Sequence, residues 1–405
     1  MAPVTILQVV PRLDTGGSEL ATLEIAEALT RAGAKALVVT EGGRMAKAIV
    51  QGGGEVIEMP VASKSPLTMW KNAGRLARLI RERDVDLIHA RSRAPAWSAL
   101  IAARRTRIPF VTTYHGAYGE LGPIKAFYNS VMGRGDLVIA NSRYTAHLME
   151  SQRGVSQDRI RTIFRGVEGA VFDPISVPPG PVAKLRERWN VSPDSKIVMQ
   201  AARLTGLKGQ RDTIEAAALL YREGALDGAV VIFAGDAHDK DAYREELLGR
   251  IKSHGLEDKI KLVGHCADMP VAFLTSHVAL VPSLVAETFG RTSIEAQAMG
   301  CPVIVSSLGA LPETIVSAEE SPERFTGWLV PPANPTALAD RIRIALALSA
   351  EDRSEIGMRA RAHVAASFAL SQMQQKTLAV YDELLGTDLT SKFLNPPSLL
   401  AGSPP

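Results

Sequence analysis

Three short segments of this 405-residue chain combine glycine with charged side chains directly after predicted buried strands. Such positions bind ligands in α/β proteins, because the carboxyl ends of parallel strands meet at one edge of the sheet. The first segment holds Gly16 and Gly17, followed by Ser18 and Glu19. Adjacent glycines allow a ligand to approach the backbone closely, and Ser18 is placed to cap the following helix. An ordinary strand-to-helix turn has the same residues, so both interpretations stay open for this segment.

The second segment runs from Ala202 to Gly209 and carries two cations, Arg203 and Lys208, on one tight loop. A guanidinium and an ammonium group on such a loop can converge on a single diphosphate. A solvated surface loop is the alternative interpretation of these residues.

The third segment, residues 282–300, predicts a chain break at Phe289-Gly290 and a helix over 291–299. The N–H groups and the positive dipole at the start of a helix favour an anion such as phosphate. Glu287 precedes the break, and Glu295 lies about one turn inside the helix. Two carboxylates that flank a helix start suit the recognition of hydroxyl groups at both ends of a nucleotide sugar.

Motifs of other chemistries are absent or ambiguous. No Gly-x-Gly-x-x-Gly follows the first strand and no Gly-x4-Gly-Lys-Ser/Thr occurs, which argues against a standard dinucleotide site and a P-loop. Asp84-Val85-Asp86 matches a metal-holding Asp-x-Asp pattern, but it stands at a turn before a predicted strand. The histidines are scattered without ligand spacing, so we expect no metal centre.

Short apolar runs alternate with helical patterns along the chain, which is typical of a doubly wound α/β sheet. The predicted strands are 5–10, 36–40, 56–59, 87–90, 110–114, 137–140, 160–163, 196–201, 229–234, 260–263, 278–282 and 302–306. Between the two groups of strands, residues 173–181 contain four prolines, which argues against a helix or a central strand there. We therefore predict two Rossmann-like doubly wound domains facing across a cleft, with the ligand in that cleft.

The predicted domains span residues 1–173 and 182–369, with a proline-rich linker at 174–181 between them. The chain after Gly386 ends in Gly-Ser-Pro-Pro and carries Asn395-Pro396-Pro397. We predict that this tail, residues 387–405, is disordered.

The composition is that of a soluble globular protein, with 46% hydrophobic and 22% charged residues. A formal net charge of +3 argues against a nucleic-acid partner. The two cysteines, Cys266 and Cys301, exclude a disulfide scaffold and favour a reducing, cytoplasmic location. Residues 4–10 resemble a first buried strand more than a signal sequence, and no apolar run predicts a transmembrane helix.

The small net charge conceals an uneven distribution. Residues 1–175 carry 23 Lys and Arg against 16 Asp and Glu, and the basic excess peaks over 64–107 with 11 basic and three acidic residues. There the apolar residues recur at helical spacing, as expected of a surface helix packed on a sheet. The exposed basic side of such a helix can also dock on anionic lipid or a phosphorylated acceptor. This region therefore predicts peripheral contact with the inner face of the cytoplasmic membrane.

Together these segments resemble the retaining glycosyltransferases of family 4, which have the GT-B fold. The matching features are the Gly-Gly loop with Glu19, the Arg203…Lys208-Gly209 pair, and the Glu-x7-Glu stretch from Glu287 to Glu295. The resemblance covers roughly residues 4–385. It implies that the last helix, about 370–386, packs back on the N-terminal domain.

The resemblance implies a role for each site residue. Gly16 and Gly17 would approach the donor diphosphate, and Arg203 and Lys208 would bind its phosphates. The histidine of Thr113-Tyr114-His115-Gly116 would lie beside the donor sugar, with a core histidine as the alternative. Glu295 would hold the ribose hydroxyls and Glu287 those of the transferred sugar, with backbone contacts from Phe289, Gly290, Arg291 and Thr292. The expected catalytic set is His115, Glu287, Arg203 and Lys208.

Two segments depart from the family pattern. Arg165-Gly166-Val167-Glu168 stands where many members have Asn-Gly-Val-Asp, which adds a cation at the mouth of the expected cleft. Gly-Arg-Thr-Ser at 290–293 replaces a more apolar helix start.

The expected activity is transfer of a hexose, mannose or glucose, from a UDP- or GDP-sugar without a metal or other cofactor. The expected acceptor is a bacterial envelope glycolipid such as lipopolysaccharide core, or an oligosaccharide. An exopolysaccharide or sphingolipid-type acceptor, a nucleotide-sugar epimerase and a non-catalytic sugar-nucleotide-binding subunit are the alternatives. An epimerase would release nucleotide without an acceptor, and a non-catalytic subunit would not require all four charged residues of the loops.

Overall fold

The computed structural model describes residues 2–14, 16–116, 122–237 and 241–396. The chain forms two compact units. The N-terminal unit comprises Met1–Arg165 and the chain from Leu370 onward, and the C-terminal unit comprises Gly166–Ala369.

The N-terminal unit is built on one parallel sheet. Its strands are β1 Thr5–Val9, β2 Lys35–Thr40, β3 Glu55–Glu58, β4 Leu87–Ala90, β5 Phe110–Tyr114, β6 Leu137–Ala140 and β7 Ile160–Thr162. Its first helices are α1 Gly17–Arg31, α2 Ala46–Gln51, α3 Pro66–Glu82, α4 Arg93–Thr106, α5 Pro123–Ser130 and α6 Arg143–Arg153. The strand order is β3-β2-β1-β4-β5-β6-β7.

The C-terminal unit repeats this plan. Its helices are α7 Pro179–Arg188, α8 Gln210–Arg222, α9 Asp241–Ser253, α10 Met269–Thr275, α11 Arg291–Ala298, α12 Pro335–Ala347 and α13 Ala350–Ser367. Its strands are β8 Lys196–Ala201, β9 Ala229–Ala234, β10 Ile260–Gly264, β11 Val278–Val281, β12 Val303–Ser306 and β13 Gly327–Val330, in the order β10-β9-β8-β11-β12-β13. Two parallel Rossmann-like sheets confirm the predicted fold class.

Both faces of each sheet are buried, which explains why the strands are continuous apolar runs. In β8, Ile197 and Met199 join the hydrophobic core on one face, whereas Val198 joins the core on the other. The strand order reverses beside the first strand of each sheet, between β1 and β4 and between β8 and β11. The loops at the carboxyl ends of these strand pairs diverge, so the fold itself favours a ligand at those two places.

The boundary between the units differs from the predicted linker. It falls between Arg165 and Gly166 rather than near residue 174. Val167 N donates to Phe368 O at 2.8 Å, and Arg361 Nη2 lies 3.2 Å from Asp173 Oδ1, so this segment is attached to the C-terminal unit. Helix α7 also begins inside the predicted linker, because proline is compatible with the first turn of a helix and Pro179 occupies that turn.

The prediction of a disordered tail is wrong for residues 387–396. After α14, Leu370–Leu385, the chain forms a further helix, α15, Leu389–Leu394, whose Leu389 and Phe393 are buried in the core of the N-terminal unit. Asp382 supports its start by accepting hydrogen bonds from Leu389 N at 2.7 Å and Thr390 N at 2.8 Å. The remainder of the predicted tail, 397–405, lies outside the described residues.

Helix α14 belongs to the N-terminal unit through polar as well as apolar contacts. Its Tyr381 is completely buried, and the Tyr381 hydroxyl lies 2.7 Å from His89 Nδ1 on β4. Gln374 Nε2 donates to Glu24 O on α1 at 2.8 Å. Buried hydrogen bonds of this kind fix the register of the helix on the sheet, because an unpaired polar group there would be costly.

We predict that Asp382→Asn destabilises the N-terminal unit at pH 7 by about 1–3 kcal/mol, since it replaces a carboxylate that accepts several hydrogen bonds. Burial would raise the pKa of Asp382, but its hydrogen bonds outweigh burial and lower this pKa below its usual value. The contribution of Asp382 to the free energy of unfolding is therefore present above the unfolded-chain pKa of about 3.9, and it is lost as the pH falls through the folded-state pKa.

Thermal unfolding at pH 7 and at acid pH measures this effect. The matched control is Asp388→Asn, because Asp388 is exposed and forms a salt bridge with Lys392 one turn away. Equal melting temperatures for the two variants at pH 7 would contradict the role of Asp382.

Candidate active site

The loops that follow β8 and β11 lie backbone to backbone. The strands pair in parallel, and Leu284 N donates to Leu207 O at 2.9 Å. Gly209 has φ of 77°, and a Cβ atom there would lie 2.0 Å from Pro282 O. Only glycine fits this contact, so Gly209 determines how closely the two loops approach each other.

This approach brings together two residues that the sequence predicted for separate tasks. Lys208 Nζ lies 2.7 Å from Glu287 Oε1, and the two side chains are 27% and 18% exposed. The Ser283 hydroxyl donates to the same carboxylate oxygen. Gln200 Nε2 donates to Lys208 O at 2.7 Å and holds the lysine backbone. The result is a largely buried ion pair in which both the ammonium and the carboxylate are held in place.

The loop that follows β12 also contacts Glu287. Ala310 N, after β12, donates to Glu287 O at 2.9 Å. Gly309 has φ of 64°, and a Cβ atom there would lie 2.5 Å from Glu287 O. The loop after β12 thus holds the backbone of Glu287, while Lys208 and Ser283 hold its carboxylate.

Helix α11 starts directly after the Glu287 loop. Its N-cap is Gly290, with φ of 130° and no side-chain cap, and a Cβ atom there would lie 2.6 Å from Leu311 Cδ2. Phe289 is buried, with its ring packed edge-on against Phe368 at 5.7 Å. Phe289 and Gly290 therefore orient the start of the helix, whose backbone N–H groups form a suitable anion site.

The side chain of Arg291 takes a position that the sequence did not predict. Its Nε donates to Glu295 Oε1 at 2.9 Å, and the two side chains are 19% and 18% exposed. The i,i+4 spacing on a helix was the available signal for this pair. Arg291 therefore orients the carboxylate of Glu295, while the neighbouring Thr292 is half-buried in the first turn.

Arg203 differs from the other cations of the site because its side chain is exposed. Its carbonyl accepts a hydrogen bond from Gln210 Nε2 at 3.0 Å, which fixes the backbone of the loop. Within the described ranges its guanidinium forms no salt bridge with a carboxylate.

In the N-terminal unit, the Gly16-Gly17 turn leads into α1. Gly16 is the N-cap of α1, with φ of 154°, and a Cβ atom on Gly17 would meet no heavy atom within 4 Å. Space is therefore available for a ligand to approach the backbone of Gly17. The predicted cap by Ser18 is wrong, because the Ser18 hydroxyl donates to Glu19 Oε2 at 2.7 Å instead.

His115 follows β5 and contacts Arg165, which follows β7. Arg165 Nη2 donates to His115 Nδ1. The pKa of His115 lies well below its usual value because of burial and because Arg165, Arg91 and His89 disfavour a positive charge. His115 is therefore neutral at physiological pH.

Asp86 lies at the edge of the N-terminal sheet opposite to the Gly16-Gly17 turn. Asp86 Oδ2 accepts a hydrogen bond from Thr5 N at 2.8 Å, at the amino end of β1. In the part of the chain that the structure describes, no group of three or more His, Cys, Asp or Glu side chains could hold a metal ion.

Comparison with known proteins identifies the family of the chain. Residues 15–169 match the model of Glycosyltransferase Family 4, and residues 182–363 match that of Glycosyl transferases group 1. A glycosyltransferase structure from Rickettsia africae ESF-5 has a TM-score of 0.87 and 32% sequence identity, and the match covers 96% of this chain and 100% of that one. The chain belongs to glycosyltransferase family 4.

Other similar proteins place this glycosyltransferase within the GT-B fold. HepE from Anabaena, solved in complex with UDP-glucose, has a TM-score of 0.79 at 24% identity, with 94% of this chain and 100% of HepE covered. A D-inositol 3-phosphate glycosyltransferase of Catenulispora acidiphila is 28% identical over 316 residues, which are 74% of this chain and 72% of that protein.

We predict that Gly209→Ala destabilises this glycosyltransferase far more than Gly228→Ala. Both glycines have positive φ, but a Cβ atom at Gly228 meets nothing within 4 Å, whereas one at Gly209 collides with Pro282 O. The control should lose about 1–2 kcal/mol from backbone strain alone. Urea unfolding compares the free energies of unfolding of the two variants. Equal losses would show that the contact between residue 209 and Pro282 O does not require glycine.

Proposed function

We propose that this glycosyltransferase transfers a hexose from a UDP-sugar with retention of configuration and without a metal ion. The observation that carries the proposal is the Lys208–Glu287 ion pair, held beside the N-terminus of α11 by the Gly209 contact. A carboxylate and a cation at fixed positions suit a ligand that joins a sugar to a diphosphate.

In this proposal, Arg203 and Lys208 bind the donor phosphates. An ammonium group has three N–H donors, so Lys208 can contact a phosphate oxygen while it keeps its hydrogen bond to Glu287. Glu287 then accepts hydrogen bonds from hydroxyls of the transferred sugar, and Glu295 does the same for the ribose. The backbone at Phe289, Gly290, Arg291 and Thr292 completes the phosphate contacts.

The reaction breaks the bond between the anomeric carbon and a phosphate oxygen, and it forms one from that carbon to the acceptor oxygen. Negative charge grows on the departing diphosphate, so stabilisation by Arg203, Lys208 and the dipole of α11 supplies the largest part of catalysis. Retention follows if the acceptor attacks on the face that the phosphate leaves. The departing phosphate oxygen then takes the acceptor proton, and no residue forms a covalent intermediate.

UDP-glucose is the first donor to test, because HepE, which shares the fold, was solved with it. The protein cations take the place of a divalent metal in this scheme. Transfer is therefore expected to continue in the presence of EDTA.

The N-terminal unit has a surface suited to an anionic acceptor at a membrane, formed by α3, α4 and α5 and called here the α3–α5 surface. Its exposed apolar side chains are Leu67, Trp70, Ile124 and Phe127, and its exposed cations include Lys71, Arg75 and Arg78. Helix α4 joins the other two helices, since Ser98 Oγ donates to Met69 O and Trp97 Nε1 donates to Tyr128 O. Within the described residues, no helix is long and apolar enough to span a membrane.

Exposed apolar side chains among cations are typical of helices that lie in the headgroup region of anionic lipid. We therefore infer that the acceptor is an envelope glycolipid, such as lipopolysaccharide core, reached at the inner face of the cytoplasmic membrane. A soluble phosphorylated acceptor is the second candidate, favoured by the D-inositol 3-phosphate glycosyltransferases among the relatives.

We predict that Lys208→Met lowers kcat for transfer from UDP-glucose about 100-fold or more and weakens UDP binding, because it removes a cation from the leaving group. Glu287→Gln should lower kcat similarly but leave UDP affinity nearly unchanged, because its partner is the sugar. Initial rates and calorimetric titration with UDP separate the two effects.

The matched controls are Lys259→Met and Glu319→Gln, which break other ion pairs of the same unit, with Asp227 and Arg341. Full transfer activity in Lys208→Met or Glu287→Gln would refute the assignment.

We predict that neutralising three cations of α3 strongly weakens binding to vesicles that contain anionic phosphatidylglycerol but leaves UDP binding intact. The variant is Lys71→Gln, Arg75→Gln and Arg78→Gln. Each cation near an anionic surface contributes about 1 kcal/mol, so the loss should be roughly 100-fold in partition coefficient. The control replaces three exposed lysines elsewhere with Gln: Lys184, Lys252 and Lys376.

Vesicle co-sedimentation measures the partition, and neutral phosphatidylcholine vesicles give the background. Equal binding by the two triple variants would contradict the glycolipid proposal. Transfer to inositol phosphate without any vesicle binding would favour the soluble acceptor instead.

A further inference from the structure

A cluster of buried polar side chains surrounds His115 in the N-terminal unit. Its members, called here the His115 cluster, are His115, Arg165, Arg91 and His89. Arg91 and Arg165 are only 3% and 6% exposed, and His89 is completely buried. Arg91 is fixed by hydrogen bonds from its Nε and Nη2 to Gln8 Oε1 at 3.1 and 2.8 Å.

The hydrogen bond between Arg165 and His115 determines where the imidazole carries its proton. A guanidinium group can only donate, so the ring nitrogen that faces it must accept. Arg165 Nη2 contacts Nδ1 directly and lies 3.4 Å from Nε2, so Nδ1 is the acceptor. A neutral imidazole whose Nδ1 accepts carries its only proton on Nε2.

The surrounding charges keep the imidazole neutral. Burial lowers the pKa of His115 most, followed by Arg165, Arg91 and His89. Burial also lowers the pKa of His89 and raises that of Tyr381, so these two side chains are neutral as well. Among the described residues, the charged groups that act on the cluster are the two guanidinium groups and Glu24, which faces Arg91 from α1.

We propose that Arg165 is a positioning residue that holds His115 as the neutral Nε2–H tautomer. Both ring nitrogens are then committed, Nδ1 to the guanidinium and Nε2 to the proton. The lone pair of Nδ1 is engaged by Arg165, so His115 does not act as a general base. It contributes to transfer as a hydrogen-bond donor through Nε2. This last role rests on the proposed function, whereas the tautomer does not.

The tautomer is measured by two-dimensional 1H–15N NMR of the full chain with 15N-labelled histidine, with the His115 signals assigned from His115→Ala. The expected result is an unprotonated Nδ1 and a protonated Nε2 that do not titrate from pH 8 to pH 5.5. Arg165→Met removes the hydrogen-bond donor and the positive charge but keeps a side chain of similar length. In this variant His115 should lose its fixed tautomer, and its titration midpoint should move to higher pH.

Arg165→Lys keeps the charge and a donor and should restore the wild-type signals. Arg161→Met is the matched control, because Arg161 pairs with Glu383 and its loss should leave His115 unchanged. A protonated Nδ1 or an imidazolium in the wild type would overturn the proposal. So would wild-type signals in Arg165→Met.

The pH dependence of kcat/KM gives a second readout. The wild type should show no change assignable to His115 between pH 8 and pH 6. Arg165→Met should be less active at pH 8, where its neutral imidazole has no fixed tautomer, and should recover activity as the pH falls, because an imidazolium always carries a proton on Nε2. If the wild type transfers the sugar while His115 carries its proton on Nδ1, this inference is refuted but the proposed function is not. The expected tautomer in a protein that transfers no sugar would refute the proposed function and leave the assignment of the proton intact.

Discussion

The proposed donor site of this glycosyltransferase depends on the close approach of the two loops that follow β8 and β11. Parallel pairing of the strands brings the loops to one edge of the sheet, and Gly209 allows the backbone to contact Pro282 O. Lys208 reaches Glu287 only because of this approach, and Ser283 and the backbone at Ala310 then fix the glutamate. A larger residue at 209 would separate the cation from the carboxylate.

The two units control charge in opposite ways. In the C-terminal unit, each carboxylate of the Glu-x7-Glu stretch is paired with a cation and stays partly solvated, which limits the desolvation cost of an ion pair. In the N-terminal unit, two guanidinium groups are almost fully buried next to the imidazole of His115, which is neutral mainly because of its own burial and further because of their charge. Charges fixed before the ligand binds need no reorganisation during the reaction, and this is an effective way to stabilise a developing anion.

The fold could be predicted because buried parallel strands are continuous apolar runs, and most of them match the observed strands. β13, Gly327–Val330, was not predicted, because a four-residue run beginning with glycine gives a weak signal. The proline-rich segment was misread as a linker because proline is compatible with the first turn of α7. Leu389 and Phe393 anchor α15, which is too short for its period to be recognised in the sequence.

Loops, spacing and the family resemblance selected the candidate site residues, but the sequence did not predict how they pair. Lys208 and Glu287 are 79 positions apart, and only the strand order and Gly209 bring them together. The contact between Arg165 and His115 likewise joins two loops 50 positions apart. The Arg291–Glu295 pair could have been predicted from the sequence, since an i,i+4 pair on a helix depends on no tertiary contact.

The central claim is that fixed protein cations, without a metal ion, bind the diphosphate of a UDP-sugar. Calorimetric titration of the wild-type chain with UDP-glucose, in EDTA and then with Mn²⁺, tests it most directly. The account predicts saturable binding of one UDP-glucose per chain in EDTA, with an affinity that Mn²⁺ does not improve. Binding that requires Mn²⁺, or no binding at all, would contradict it.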